Sequence, residues 1–180
     1  MQTEIEKEET HLVSIECKLK WFGYGEWVEE CDKITFEHKG YACMVMRVIQ
    51  PEPGQRDCVF GGHLCGYVKI PEYHYLHAEK DYSKIPLLCH GGLSYMSVDS
   101  PWIGFDCGHY LDIIPSFKKL EEHQTDRRLK EITEMISSHP LLKRTYKNMD
   151  FCTKQCISIV DQLMEIQDEY KEKESRNINA

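Results

Sequence analysis

Apolar and polar positions alternate along the front of the chain and recur every three or four residues along its back, so the pattern predicts strands first and helices last. His11 to Leu19 alternates in part through Leu12, Ile15, Cys17 and Leu19 and predicts an edge strand, followed by an aromatic loop from Trp21 to Trp27. Ile34-Thr35-Phe36 and Tyr41 to Val48 flank His38-Lys39-Gly40 and predict a hairpin, because the glycine can take the positive φ of a tight turn. Pro51-Glu52-Pro53-Gly54 ends the second of these strands. Leu64 to Ile70 predicts another strand, stopped by Pro71. The segment holding Tyr73, His74, Tyr75, His77 and Tyr82 reads as an irregular loop that could lie over a pocket. Leu87 to Met96 and Trp102 to Cys107 complete the sheet.

The linkers between these strands are too short for helical crossovers, so the sheet is expected to be antiparallel. After Pro115 the period lengthens. Leu120 to Ser138 carries Leu129, Ile132, Met135 and Ile136 at helical spacing and stops at His139-Pro140. Asn148 or Asp150 can cap a second helix with a stripe of Cys152, Cys156, Ile159, Leu163, Ile166 and Tyr170, which reads as a core face. The expected fold is α+β: an antiparallel sheet of about four to five strands packed with two C-terminal helices. One domain covers residues 1–180, with flexible charged ends at about 1–9 and 171–180.

Composition narrows the function classes. At 180 residues and 41% apolar content the chain can build a core without staples. A net charge of −8 argues against extensive nucleic-acid binding, which depends on basic patches. Nine cysteines are an odd number in a chain with a charged N-terminus and no membrane-length apolar run, so reduced thiols, a cytoplasmic location and no membrane partner are expected.

Two glycine-flanked runs concentrate the chemistry: His90-Gly91-Gly92-Leu93-Ser94-Tyr95 and Trp102-Ile103-Gly104-Phe105-Asp106-Cys107-Gly108-His109. Together with Trp27, Asp32-Lys33, Leu64-Cys65-Gly66-Tyr67-Val68, Pro71, His74, Tyr146-Lys147-Asn148-Met149-Asp150 and Gln162-Leu163, they resemble a functionally undefined family of small bacteriophage and prophage proteins, from about Trp27 to Leu163. The resemblance implies an accessory phage protein working in the bacterial host cytoplasm. It also implies an acidic residue shortly after the last histidine of the central motif, a place Asp112 takes here. Tyr110-Leu111 is bulkier than the small residues of that pattern.

Physically, Gly91 and Gly92 either let a ligand or backbone approach closely or mark a β-bulge. His90, with Asp106 or His109 across the sheet, could bind a polar ligand or act as a general base held in one tautomer by a carboxylate. An extended chain points Asp106 and His109 to opposite faces, so they share a site only if the strand bends near Gly108.

Cys89, His90, Cys107 and His109 are competent zinc ligands. Neighbouring Cys-His residues face opposite sides of a strand, however, and no C-x-x-C or H-E-x-x-H spacing occurs, so no cofactor is expected. The alternative is a divalent metal on His90, His109 and Asp112. Cys107 as a nucleophile yields to a core role. Of the aromatics Trp27, Tyr67, Tyr73, Tyr75, Tyr82, Tyr95, Trp102 and Phe105, some should line a cleft, with Phe105 and Trp102 as core; Arg47 and Lys69 would then serve an anion.

The leading expectation is capture of a small polar ligand, such as a nucleotide-derived host immune signal, by Tyr67, His74, His90, Gly91, Gly92, Tyr95, Asp106 and His109. The first alternative is a small hydrolase in which His90, Asp106 and His109 are catalytic, with or without metal. The second is an inhibitor of a host protein, acting through its acidic surface; a homo-oligomer is also compatible with the sequence.

Overall fold

The computed structural model describes residues 5–51, 59–97 and 99–178. Strands β1 Lys7–Thr10, β2 Lys33–His38, β3 Tyr41–Pro51, β4 Val59–Lys69, β5 Tyr95–Met96 and β6 Trp102–Asp106 form one antiparallel sheet in the order β1-β2-β3-β4-β6-β5. Helices α1 Ile15–Phe22, α2 Pro115–Glu122, α3 Arg127–Ser138 and α4 Met149–Ile178 complete an α+β fold. The β2–β3 hairpin turns at Lys39 and Gly40, both with positive φ, which matches the twist of the strands it joins. Pro51 closes β3, and Glu52, Pro53 and Gly54 lie outside the described residues.

Alternation sends Ile34, Phe36, Tyr41, Cys43, Val45, Leu64, Val68, Ile103 and Phe105 to one face of the sheet. There they meet Cys152, Cys156, Ile159, Val160 and Leu163 of α4. Asn148 caps this helix by accepting from the Phe151 amide at 3.0 Å. Truncating Ile159 or Leu163 to Ala at this seam should cost about 2–5 kcal/mol.

Several expected boundaries are corrected. His11 to Leu19 is not a strand: Ser14 accepts from the Cys17 amide and starts α1, on which Ile15, Leu19 and Phe22 recur at helical spacing. The edge strand is instead β1, within the end expected to be flexible, and with the two-residue β5 it brings the strand count to six. Leu87 to Met96 is extended only at its end, because Gly91 and Gly92, at φ +66° and +84°, turn the chain before β5. The helix expected from Leu120 to Ser138 is two helices. Pro115 opens α2, and Asp126 restarts the chain as α3 by accepting from the amides of Arg128 and Leu129. Residues 171–178, expected to fray, continue α4, where the i,i+4 pairs Glu169–Lys173 and Glu172–Arg176 line an exposed surface.

A buried ionic node fixes the end of the sheet near the site. Asp32 accepts from Lys18 Nζ at 2.9 Å, Arg47 Nε at 2.8 Å and the amides of Leu12 and Val13. Arg47 also donates to the Gly62 carbonyl, the Tyr146 hydroxyl and Glu30, while Glu30 accepts from the Met149 amide at 3.0 Å. Arg47 therefore ties β3 to the start of α4, and its donors are taken up there rather than offered to an anion as expected. Trp27, one of the aromatics of which some were expected to line a cleft, is buried beside Phe22 and Val59, its ring edge-on to Tyr146 at 5.2 Å.

Candidate functional site

β6 ends at Asp106, and the chain then turns tightly through Gly108 and His109 to Asp112. Asp106 Oδ1 accepts from the Gly108 amide at 2.8 Å, and the Asp112 amide donates back to the His109 carbonyl at 2.9 Å. Residues 111–113 are pinned to Thr145: its amide donates to the Leu111 carbonyl, and its own carbonyl accepts from the Ile113 amide. The bend required for Asp106 and His109 to share a site is present, with Asp106 Oδ1 3.9 Å from His109 Nδ1.

The carboxylate that joins the histidines is Asp112. Its Oδ2 lies 2.8 Å from His90 Nε2, 3.3 Å from His109 Nδ1 and 3.1 Å from the His109 amide. A carboxylate accepts, so the protons on His90 Nε2 and His109 Nδ1 point at it. Its side chain is 1% exposed. Its Oδ1 is buried without a hydrogen-bond partner, and Lys147 Nζ stands 3.7 Å away. The backbone of His90 is fixed by its amide, which donates to Gln155 of α4 at 2.9 Å, and its ring lies edge-on to those of Phe151 and His109.

Gly91 serves this arrangement. The Cε1–Nε2 edge of His109 occupies the place a Cβ on Gly91 would take, so the glycine is neither a β-bulge nor a bare anion platform. Gly92 has only its positive φ to satisfy, with open space where a Cβ would go.

His63, on β4, adds a third imidazole. It converges with Asp106 over Gly108, and its Nδ1 is buried without a partner. Burial lowers its pKa below the ordinary histidine value, partly offset by the nearby charges of Asp106 and Asp112. For Asp106, burial pushes upward, but hydrogen bonds from the Ser94 side chain and the Gly108 amide outweigh it and hold the carboxyl below its usual range.

The remaining expected site residues lie elsewhere. Tyr67 and Tyr95 pair edge-on at 5.2 Å across Gly104, on the same face as Asp106 and beyond it along the strands. His74 is buried against α4. It accepts from the Leu76 amide through Nδ1 and lies 2.9 Å from the Leu163 carbonyl through Nε2. The Tyr- and His-rich loop thus docks on a helix rather than over a pocket, with Tyr75 stacked on Tyr170 at 4.2 Å. The thiols do not join the histidines: Cys107 Sγ faces Cys152 Sγ at 3.6 Å inside the core. Burial pushes Cys89 up to about 11.

His109 and Asp112 open onto a cleft of about 350 Å³ between the 108–114 turn, α2, α3 and the segment around Arg144. Tyr110 and Phe117 expose their rings there, and Arg144 is held by Glu121 in a paired contact of 2.9 and 2.6 Å. His90 does not line this cleft; it stands behind Asp112.

Residue-by-residue reasoning missed His63, Lys147 and Arg144. Lys147 stood inside one of the motifs that carry the resemblance, whereas Arg144 and His63 had no local signal, since β4 begins earlier than its apolar run suggests. No helix among the described residues is long and apolar enough to cross a membrane. The chain matches no protein-family model, no curated protein and no solved structure.

Proposed function

We propose that the protein captures a small polar ligand, a nucleotide or nucleotide-derived anion, in the cleft that His109 and Asp112 share with Tyr110, Phe117 and Arg144. The observation that carries this reading is the meeting of an anchored imidazole, two exposed aromatic rings and a guanidinium around one opening. Its volume of about 350 Å³ falls within the roughly 300–1,000 Å³ of small-molecule pockets. Tyr110 and Phe117 offer faces to a planar base, while Arg144 offers donors to a phosphate or carboxylate and His109 lines the opening with its proton held by Asp112. The net charge of −8 disfavours a long polyanion more than a small one. The resemblance to phage proteins supports a host immune signal as the ligand, sequestered in the bacterial cytoplasm.

A second reading, hydrolysis of such a ligand, is favoured by one feature: Asp112 stands behind His109 as a carboxylate orienting a base would. One experiment separates them. The protein is incubated with mono-, di- and cyclic nucleotides, with and without chelator, then desalted and heat-denatured, and the released material is chromatographed. Intact nucleotide supports capture, a changed product supports hydrolysis, and protein free of both overturns the proposal.

A further inference from the structure

We propose that His90 Nε2, His109 Nδ1 and Asp112 bind one divalent transition-metal ion of the zinc class. The site shares His109 and Asp112 with the cleft but does not depend on its ligand. Among the described residues these three are the His/Cys/Asp/Glu group whose donor atoms all lie within 4.8 Å of one another.

The spacing suits an ion. Ligands held at about 2.0–2.2 Å in tetrahedral geometry stand roughly 3.3 Å apart. His109 Nδ1 is 3.3 Å from Asp112 Oδ2, and His90 Nε2, at 2.8 Å, has to withdraw by about half an ångström. Two imidazoles and one carboxylate favour zinc, cobalt or iron over magnesium and calcium, which take oxygen ligands. Three protein ligands leave a fourth position for water or an incoming group.

The second, independent observation is Asp112 Oδ1. It is buried without a hydrogen-bond partner on a side chain that is 1% exposed, and the cation nearest it, Lys147, is 3.7 Å away. A buried carboxylate whose second oxygen has no hydrogen bond and only the Lys147 ion pair at 3.7 Å is incompletely compensated, and a cation held on Oδ2 would neutralise the charge the two oxygens share.

Binding carries a signature. Without metal, His90 holds its proton on Nε2 and His109 on Nδ1, both facing Asp112. When each of these nitrogens donates its lone pair to the ion, the imidazoles remain neutral and their protons move to the opposite ring nitrogens, Nδ1 of His90 and Nε2 of His109.

The test uses the full chain, stripped with chelator and titrated with cobalt(II) and then zinc, with no organic ligand present. The expected result is one cobalt per chain with the ligand-field absorption of a low-coordinate centre, displaced by zinc. Affinity should fall in His109→Ala and Asp112→Asn by more than the roughly 10–100-fold that loss of an outer partner causes. The exposed-histidine variant His123→Ala should bind as wild type. Nitrogen-15 imidazole spectra of wild-type protein supply a readout independent of variant folding: zinc should swap the protonated nitrogen of His90 and His109. Absence of stoichiometric binding, equal binding by the Asp112→Asn variant, or spectral changes confined to other histidines would overturn the proposal. Because no nucleotide is present, failure here leaves capture in the cleft standing, and an empty cleft leaves the metal site standing.

Discussion

His109 lies over Gly91 so closely that a Cβ on the glycine would stand 2.0 Å from His109 Cε1. Gly91 is also at φ +66°, so alanine there is excluded twice, by contact and by backbone conformation. Gly91→Ala should therefore displace the imidazole from Asp112 and weaken any ligand held by His109. Gly92→Ala meets nothing within 4 Å and should cost only the left-handed penalty of about 1–2 kcal/mol. Urea unfolding of both variants, with the His109 ring resonances as the local readout, checks the order; equal effects would contradict it.

Asp112, rather than Asp106, is the carboxylate on which the site turns. Asp112 reaches both histidines within 3.3 Å, whereas Asp106 bonds the Gly108 amide and lies 3.9 Å from His109 Nδ1. In nucleotide-binding assays Asp112→Asn is expected to lose binding while Asp106→Asn keeps most of it. The reverse order would return Asp106 to the centre.

These comparisons mark where the sequence was legible. The β2–β3 hairpin, β6 and α4 follow from alternation, a left-handed turn glycine and a helical stripe, all local signals that tertiary contacts reinforced. His11–Leu19 misled because its four apolar residues, Leu12, Ile15, Cys17 and Leu19, fit a strand template as readily as a helical one, and the Ser14 cap decided between them. The site histidines were visible as chemistry in an apolar context. Asp112 stood beside them only as the acidic residue of the resemblance and as a ligand of the alternative metal; that it accepts from both imidazoles was not legible, because it reaches them through a turn held by Thr145, a contact between positions 33 residues apart that no local pattern encodes. Arg47 was read as serving an anion since the sequence carries no record of Asp32 and Glu30 folding against it.

Arg144 faces the cleft with its guanidinium held by Glu121, and that contact raises its pKa above the ordinary arginine value. If it donates to a bound anion, Arg144→Met removes a charge-assisted hydrogen bond of about 1.5–3 kcal/mol, roughly a 10- to 100-fold loss of affinity. Calorimetric titration of a captured nucleotide measures this, and unchanged affinity would remove Arg144 from the binding surface.

His74 should be a histidine that resists protonation. Burial lowers its pKa below 6.5, only partly offset by the Leu163 carbonyl, and its Nδ1 already accepts from the Leu76 amide. The neutral ring with its proton on Nε2 satisfies both bonds, and a second proton would break one. A histidine held low binds fewer protons folded than unfolded, so its contribution is complete above about pH 6.5 and is lost as pH falls from there through the folded value. Imidazole NMR should find the Nε2–H tautomer at neutral pH and a midpoint below 6.5; a midpoint at or above it would refute the assignment.

Asp32 gives the opposite end of the pH scale. Burial pushes its carboxyl upward, yet the bonds from Lys18, Arg47 and the Val13 amide outweigh that and hold its pKa below 3.8. A carboxylate lowered on folding contributes stability in full above the unfolded value, near pH 3.8, and loses it as pH falls through the folded one. Asp32→Asn leaves Lys18 and Arg47 buried without their shared partner, which should cost about 3–5 kcal/mol at neutral pH. The node also holds Glu30 on the Met149 amide, so the start of α4 should loosen with it. Denaturant unfolding of wild type and variant from pH 7 down to pH 2 should show two curves that converge below pH 3.8, since protonation then removes from the wild type what the substitution removed already. Curves that stay parallel would mean that the charge of Asp32 contributes nothing to the fold.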